Sequence, residues 1–153
     1  IQARIDAGET ADILISSAAA IERLGRDGKL LPDGTTAIAR TSVGICVRAG
    51  AADPDIATPD AFRRTLAGAR RIAFSDAAVG GSAGVYLARL FEDLGLADTI
   101  RQSGMPQKSG VEVATRVAEG QAELGLTLMA EIMSVAGVRV AGPGCSESCV
   151  YSV

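Results

Sequence analysis

The stretch ARRIAFSDAAVGGSAGVYLARLFEDLGL, residues 69–96, decides the fold predicted for this chain. It opens with a short apolar strand over residues 71–75 and passes through a glycine-rich turn over residues 79–84. It then continues as a helix whose apolar residues recur at helical spacing until Gly95 stops it. A strand followed directly by a helix is the repeating unit of α/β domains that have a mostly parallel sheet.

The same alternation of strands and helices extends to both sides of this stretch. Upstream, the predicted elements are the end of a helix around residues 1–8, a strand buried on both faces over 11–16, a helix over 18–24, a strand over 36–48, a loop over 49–57 and a helix that Thr58 and Pro59 begin. Downstream, they are a weaker strand over 100–102, a helix capped by Ser109 and Glu112, a strand over 123–129, a helical piece around 132–133 and a last strand over 138–141 that ends at Gly142 and Pro143.

Composition and charge exclude several classes of function. The 153 residues contain 15 Lys and Arg against 18 Asp and Glu, a net charge of -3, and no histidine. Binding to nucleic acid or to an anionic membrane needs clustered positive charge, which this chain lacks. The absence of histidine removes the usual general base near neutral pH and most zinc sites. No apolar run approaches the roughly 20 residues of a membrane span. We therefore expect no catalysis, no cofactor, no metal site, no nucleic-acid partner and no membrane insertion.

The cysteines carry no predicted role. Cys46, Cys145 and Cys149 are an odd set that defines no disulfide framework. The spacing of Cys145 and Cys149 could close a small loop in an oxidising compartment, but the other ligands of a metal site are lacking.

Candidate ligand-binding residues lie where strands are followed by helices, because ligands of open α/β sheets bind at the carboxyl ends of strands. Free N–H groups in the first turn of a helix attract anions. The candidates are Ser82 as the N-cap with Ala83 and Gly84 in the first turn, the N–H groups of Gly110 and Val111 after Ser109, and the hydroxyls of Ser16 and Ser17. Ordinary turns and helix caps also explain each of them. Asp12, Asp76 and Glu131 also lie near strand ends, but no cationic partner is visible to make them an acid/base pair.

The ordered set of motifs resembles the periplasmic molybdate-binding proteins of ABC importers and their close relatives. The runs that carry the resemblance are AGETADILISS (7–17), ARTSVGICVRAGAADPDIATPDAFRRTL (39–66), residues 69–96 and VATRVAEGQAELGLTLMAEIMSVAGVRVAGP (113–143). The resemblance implies an α/β fold of the type II periplasmic-binding-protein class, with parallel or mixed sheets and helices on both faces. It also implies that the chain is truncated at its N-terminus. Residues 1–42 with 138–153 would form a partial first lobe and a crossing strand, and residues 43–137 the second lobe.

The resemblance further implies a function. It predicts the solute-binding component of an ABC importer, periplasmic or extracytoplasmic, with a signal peptide upstream and a membrane permease as partner. A small oxyanion such as molybdate or tungstate would lie in a cleft between the lobes, held by hydroxyls and by the N–H groups of Ala83 and Gly110. The family's tyrosine corresponds to about Leu128, which has no hydroxyl. Two alternatives stay open, the effector domain of a LysR-type regulator and an enzyme on a related scaffold such as porphobilinogen deaminase.

Overall fold

The computed structural model describes residues 2–31, 33–79 and 81–152, of which residues 2 and 143–152 are described by their backbone alone. The chain divides into two compact units, Ile1–Thr41 with Cys149–Val153 and Ser42–Ser148. This division places residues 138–148 with the larger unit, whereas the family resemblance assigned them to the first lobe. The assignment of residues to lobes stays a prediction.

The smaller unit contains helix α1 (Gln2–Asp6), strand β1 (Ser16–Ser17) and helix α2 (Ala18–Arg26). The helix expected near the start is confirmed for Gln2–Asp6, and it stops before Gly8, whose φ of 88° suits only glycine. Ile1 lies outside the described residues. Strand β1 pairs antiparallel with the end of the chain, Ser16 opposite Ser152 and Ser17 opposite Tyr151.

The strand expected over residues 11–16 is wrong except at Ser16. Residues 11–15 are irregular, and Ile13 and Ile15 are 73% and 56% exposed instead of buried. The physical reason is that, among the described residues, no strand pairs with this run, so its backbone has no ladder partner. The run instead lines a cavity of about 550 Å³ within the smaller unit, together with Ile5 and Leu30.

The elements that follow α2 are, in chain order, β2 (Ala37–Arg48), α3 (Pro59–Gly68), β3 (Ile72–Ser75), a 3₁₀ turn (Ala77–Val79), α4 (Ser82–Asp93), α5 (Ala97–Ser103), β4 (Gly104–Gln107), α6 (Gly110–Ala118), β5 (Leu124–Leu128), α7 (Met129–Ile132) and β6 (Val138–Ser152). Residues 37–41 of β2 and 149–152 of β6 belong to the smaller unit. The larger unit is built on a mixed sheet with the strand order β6-β2-β5-β3-β4. Strand β3 runs parallel to both β4 and β5, and β2 runs antiparallel to β5.

The alternation of side chains along the strands divides the core of the larger unit into two clusters. Val43, Ile45 and Val47 of β2 pack with residues of α3 and α4, whereas Cys46 packs with residues of α6 and α7. Neighbouring residues of a strand point to opposite faces, so the sheet is covered by helices on both sides. The expected α/β class with helices on both faces is therefore confirmed.

Local signals fixed several helix boundaries correctly. The hydroxyl oxygen of Thr58 accepts a hydrogen bond from the N–H of Ala61 at 3.2 Å, so Thr58 caps α3 as expected. The caps of α6 and the stop of α4 at Gly95, whose φ is 65°, are also confirmed.

Other segments differ from the sequence prediction. Residues 100–102 were expected to form a strand but belong to α5, where Arg101 pairs with Asp98 one turn earlier. The strand is the following segment, β4, which contains Gly104 and Pro106 and is held by its pairing with β3. The last strand, β6, continues past Gly142 and Pro143 because its backbone finds ladder partners further along. The turn before α4 includes Gly80, which lies outside the described residues, as does Pro32.

Within the described part of the chain, no helix combines the length and the apolar character needed to cross a membrane.

Cys46 is completely buried beneath α6, and burial raises the pKa of its thiol to about 12. The thiolate is the nucleophile of cysteine chemistry, so a thiol with this pKa is inert while the protein stays folded. We expect a variant with Cys145→Ser and Cys149→Ser, in which Cys46 is the remaining thiol, to react with a disulfide reagent at about pH 8 more than a hundredfold more slowly than an exposed cysteine.

The control for this prediction is the same variant in strong denaturant, where Cys46 should react at the rate of a free thiol. A fast reaction of Cys46 in the folded protein would contradict its burial between β2 and α6.

Candidate functional site

Three parallel strands end at one edge of the larger unit's sheet. Ser75 is the last residue of β3, Gln107 the last of β4 and Leu128 the last of β5. The helices that follow, α4 and α6, begin close to this edge, which we call the carboxyl edge. In open α/β sheets this is where ligands bind.

A chain of hydrogen bonds runs along the carboxyl edge. The hydroxyl oxygens of Ser75 and Thr127 lie 2.8 Å apart, and the Thr127 hydroxyl donates to Oε2 of Glu131 at 2.7 Å. The other carboxylate oxygen, Oε1, accepts from the N–H of Gly110 at 3.3 Å. Thr127 is completely buried, whereas Ser75 and Glu131 are half-buried. We call Ser75, Thr127 and Glu131 the hydroxyl relay.

Gly110 is a glycine because the hydroxyl relay leaves no room for a side chain there. A Cβ atom at Gly110 would overlap the carboxylate of Glu131 and the hydroxyl of Thr127. The first residue of α6 therefore packs directly against this pair. The relay fixes where α6 begins.

Side chains of the protein itself accept hydrogen bonds at the N-terminus of α6. The hydroxyl of Ser109 accepts from the N–H of Glu112 at 3.2 Å, and the carboxylate of Glu112 accepts from the N–H of Lys108 at 3.1 Å. The Gly110 N–H, which was expected from the sequence to be available to a ligand, is used by Glu131. The reason is that α7 follows β5 directly and places Glu131 against this helix end, where a negative charge is favourable. Val111 is exposed in the same turn.

The N-terminus of α4 differs from that of α6. Its N-cap is Gly81 and not Ser82 as expected, so Ser82 is the first helical residue and no N-cap side chain accepts a hydrogen bond from the first turn. The helix begins after Gly81 because the backbone of Gly81 is still extended, with φ of -75° and ψ of 145°. Ala83 and Gly84 are buried, and a Cβ on Gly84 would lie 2.5–2.7 Å from backbone atoms of Asp76 and Ala77.

The starts of α4 and α6 belong to the same edge. Gly84 contacts the backbone of Asp76, which directly follows Ser75, and Ser75 is linked through Thr127 and Glu131 to Gly110. The two motifs that contain the candidates Ser82, Ala83, Gly84 and Gly110 are thus connected through Asp76 and the hydroxyl relay.

Ser16 and Ser17 lie in the smaller unit. Both are half-buried, and Ser17 is the N-cap of α2, although its side chain makes no capping hydrogen bond. The alternative that these serines cap the helix therefore holds for the position of Ser17 but not for its hydroxyl. A ligand-binding role for both residues stays a prediction.

Sequence reasoning missed Ser75 and Thr127 and set Glu131 aside. The four-residue spacing of Thr127 and Glu131 across a strand end could have indicated their hydrogen bond. The third partner, Ser75, is 52 residues away from Thr127, so no local pattern indicates it. Leu128, the position of the family tyrosine, is a half-buried strand residue opposite Val43 and packs against the core. Among the described residues, no three His, Cys, Asp or Glu side chains are grouped so that they could hold a metal ion.

Solved structures show the fold class. The structure is similar to one described as the substrate binding domain of a molybdenum ABC transporter from Clostridium difficile, with a TM-score of 0.71 and 19% identity over 99% of this chain and 65% of the other. It is also similar to the periplasmic molybdate-binding protein of Azotobacter vinelandii, with a TM-score of 0.66 and 22% identity over 98% of this chain and 66% of the other. The larger unit with its mixed sheet is thus part of a type II periplasmic-binding fold, as the sequence predicted.

Residues 1–144 match the family described as bacterial extracellular solute-binding protein. The chain belongs to this family. A curated relative is the aconitate isomerase of a Pseudomonas species, which is 30% identical over 139 residues, corresponding to 91% of this chain and 52% of that protein. The chain therefore spans about half the length of this relative.

Proposed function

We propose that the protein is the extracytoplasmic binding component of an ABC importer and that it takes up a small oxyanion at the carboxyl edge. The observation that carries this proposal is the start of α4, whose N-cap is a glycine and which lies at the edge where ligands of this fold class bind. The family description supports an extracytoplasmic location, and a membrane permease would be the partner.

The contrast between the helix starts supports α4 as the anion-binding end. Of α4 and α6, which both begin at the carboxyl edge, α6 has Ser109 and Glu131 as side-chain acceptors at its start, whereas the N-cap of α4 is Gly81, which has no side chain. Three to four N–H groups at a helix start lack partners within the helix itself. A bound anion supplies acceptors and interacts favourably with the helix dipole. The Ala83 N–H is the donor that we assign to the ligand.

A polycarboxylate is a second candidate ligand. The relative named aconitate isomerase acts on a tricarboxylate, and it is more similar in sequence than the two molybdenum-related structures. Glu131 already places a carboxylate between an N–H group and a hydroxyl at the carboxyl edge. Interconversion of aconitate isomers would make the protein an enzyme, which needs a proton-accepting group beside the ligand.

Titration calorimetry distinguishes these candidates. We expect heat of binding from molybdate and tungstate if the inorganic oxyanion is the ligand, and from cis-aconitate if it is the polycarboxylate. Sulfate and phosphate complete the series. The isomerase candidate further predicts that trans-aconitate accumulates, which proton NMR detects. If none of these anions binds, the proposal is wrong.

Ala83→Pro removes the N–H that we assign to the ligand, and because Ala83 is buried, circular dichroism verifies that the variant is folded. We expect the affinity for the bound anion to fall about tenfold or more, because a hydrogen bond to a charged group contributes about 1.5 to 3 kcal/mol. The matched control is Ala97→Pro in the first turn of α5, which should leave the affinity unchanged. An unchanged affinity of the Ala83→Pro protein would place the anion elsewhere.

A further inference from the structure

The hydroxyl relay has a defined direction. An ionised carboxylate only accepts hydrogen bonds, and Glu131 accepts on both oxygens, from Gly110 and from Thr127. The single proton of the Thr127 hydroxyl is therefore committed to Glu131. The 2.8 Å contact between the two hydroxyl oxygens must then be a hydrogen bond that Ser75 donates to Thr127.

This direction determines what Ser75 can offer a ligand. A serine hydroxyl has one proton and two acceptor lone pairs. Because the proton is committed to Thr127, the half-buried oxygen of Ser75 has only acceptor capacity left at the carboxyl edge. A fully ionised oxyanion has no proton to donate, so it forms no hydrogen bond with this oxygen.

We infer that Glu131, acting through Thr127, makes Ser75 an obligatory hydrogen-bond acceptor and thereby selects ligands that carry a donor beside their anionic group. This inference rests on the proposed function, since it names the chemistry of the anion held at the carboxyl edge. It ranks fully ionised molybdate, tungstate and cis-aconitate below small anions that carry a hydrogen-bond donor. The class comprises hydroxy acids and oxyanions that keep a proton near neutral pH. Ser75 touches the ligand, whereas Thr127 and Glu131 are positioning residues.

Two pairs of probes test the selection, and the two members of each pair differ in one donor. Citrate differs from tricarballylate by one hydroxyl, and phosphate near neutral pH keeps a proton that sulfate lacks. We expect the donor-bearing member of whichever pair binds to have about tenfold higher affinity in calorimetry. The first pair identifies a hydroxy acid as the source of the donor, and the second a protonated oxyanion.

Glu131→Gln should reverse the relay. A glutamine in this position keeps an oxygen for the Gly110 N–H and turns its amide nitrogen toward Thr127, which then accepts this hydrogen bond and donates to Ser75. The Ser75 proton becomes free for the ligand. We expect the preference for the donor-bearing probe to disappear or invert, with sulfate or tricarballylate gaining affinity. Glu119→Gln, an exposed change in the turn after α6, is the matched control and should keep the wild-type preference.

Changes at Thr127 test the relay independently of the carboxylate. Thr127→Ser keeps the hydroxyl and should keep the preference, whereas Thr127→Val keeps the shape, breaks the relay and should abolish the preference. Thermal unfolding followed by circular dichroism verifies that each variant is folded. Comparing the probe preferences of the Thr127→Ser and Thr127→Val proteins tests the inference even if the Glu131→Gln protein does not fold.

The outcomes separate this inference from the proposed function. Binding of molybdate, tungstate or sulfate in preference to the donor-bearing probes would overturn the inference and leave the oxyanion proposal standing. An unchanged preference in a folded Glu131→Gln protein would also overturn it. Failure of every anion to bind would overturn the proposed function and, with it, the inference.

Discussion

Replacing Phe62 by alanine is expected to lower the free energy of unfolding of the larger unit by about 3 to 5 kcal/mol. Phe62 lies in the first turns of α3 and is 2% exposed, packed in the cluster that contains Ile45 and Leu66. Removing the ring leaves a cavity in a core that is close-packed, so the loss includes both the transfer free energy and the cavity. Urea denaturation followed by circular dichroism measures the change.

The matched change Phe62→Leu keeps most of the volume and should cost much less, about 1.5 kcal/mol or below. A loss below about 1 kcal/mol for Phe62→Ala would contradict the position of α3 on the sheet, because such a small value is typical of a residue outside the core.

Replacing Gly84 by alanine is expected to cost about 3 kcal/mol and to weaken anion binding as well. A Cβ atom at this position would lie 2.6 Å from the carbonyl carbon of Asp76 and 2.7 Å from the nitrogen of Ala77, and both are backbone atoms that cannot rotate away. Either α4 or the turn after β3 must shift. The start of α4 then moves relative to Ser75, which disturbs the proposed ligand donors and the acceptor together.

Gly68→Ala is the matched control for this prediction. Gly68 ends α3, and a Cβ added there meets no atom within 4 Å, so the change should be neutral or slightly stabilising. Chemical denaturation and calorimetry with the bound anion are to be compared for the two variants. Equal stability of the Gly84→Ala and Gly68→Ala proteins would show that α4 does not pack closely against the turn.

The elements that could be predicted are those whose signals are local. Thr58 and Ser109 each cap the helix that directly follows, and the hydrogen bond that does so spans three residues, so the sequence contains both partners. The alternation of Val43, Ile45 and Val47 likewise indicated a strand, and these residues share one buried face of β2. The family resemblance, which rests on the order of these motifs, is confirmed by the match over residues 1–144.

The errors concern segments whose state depends on distant partners. Gly104 and Pro106 have low strand propensity, yet they form β4 because β3 offers a parallel ladder. The apolar run at residues 11–15 has strand propensity, yet it is irregular because no described strand pairs with it. Pairing between strands therefore overrides local propensity in both cases. A paired segment with low strand propensity forms a strand, and an unpaired segment with high strand propensity stays irregular.

By itself, the sequence determined the α/β class, the helix boundaries that caps mark, and the small-residue start of α4 at the edge where an anion is expected. Only the tertiary structure decided what surrounds that start. Ser75 meets Thr127 across 52 residues, and Glu131 meets Gly110 across 21 residues, so no local pattern contains either pair. The physical reason is that hydrogen bonding between side chains is decided by which strands are neighbours. The parallel pairing of β3 with β5 aligns Ser75 with Thr127 and brings α7 against α6.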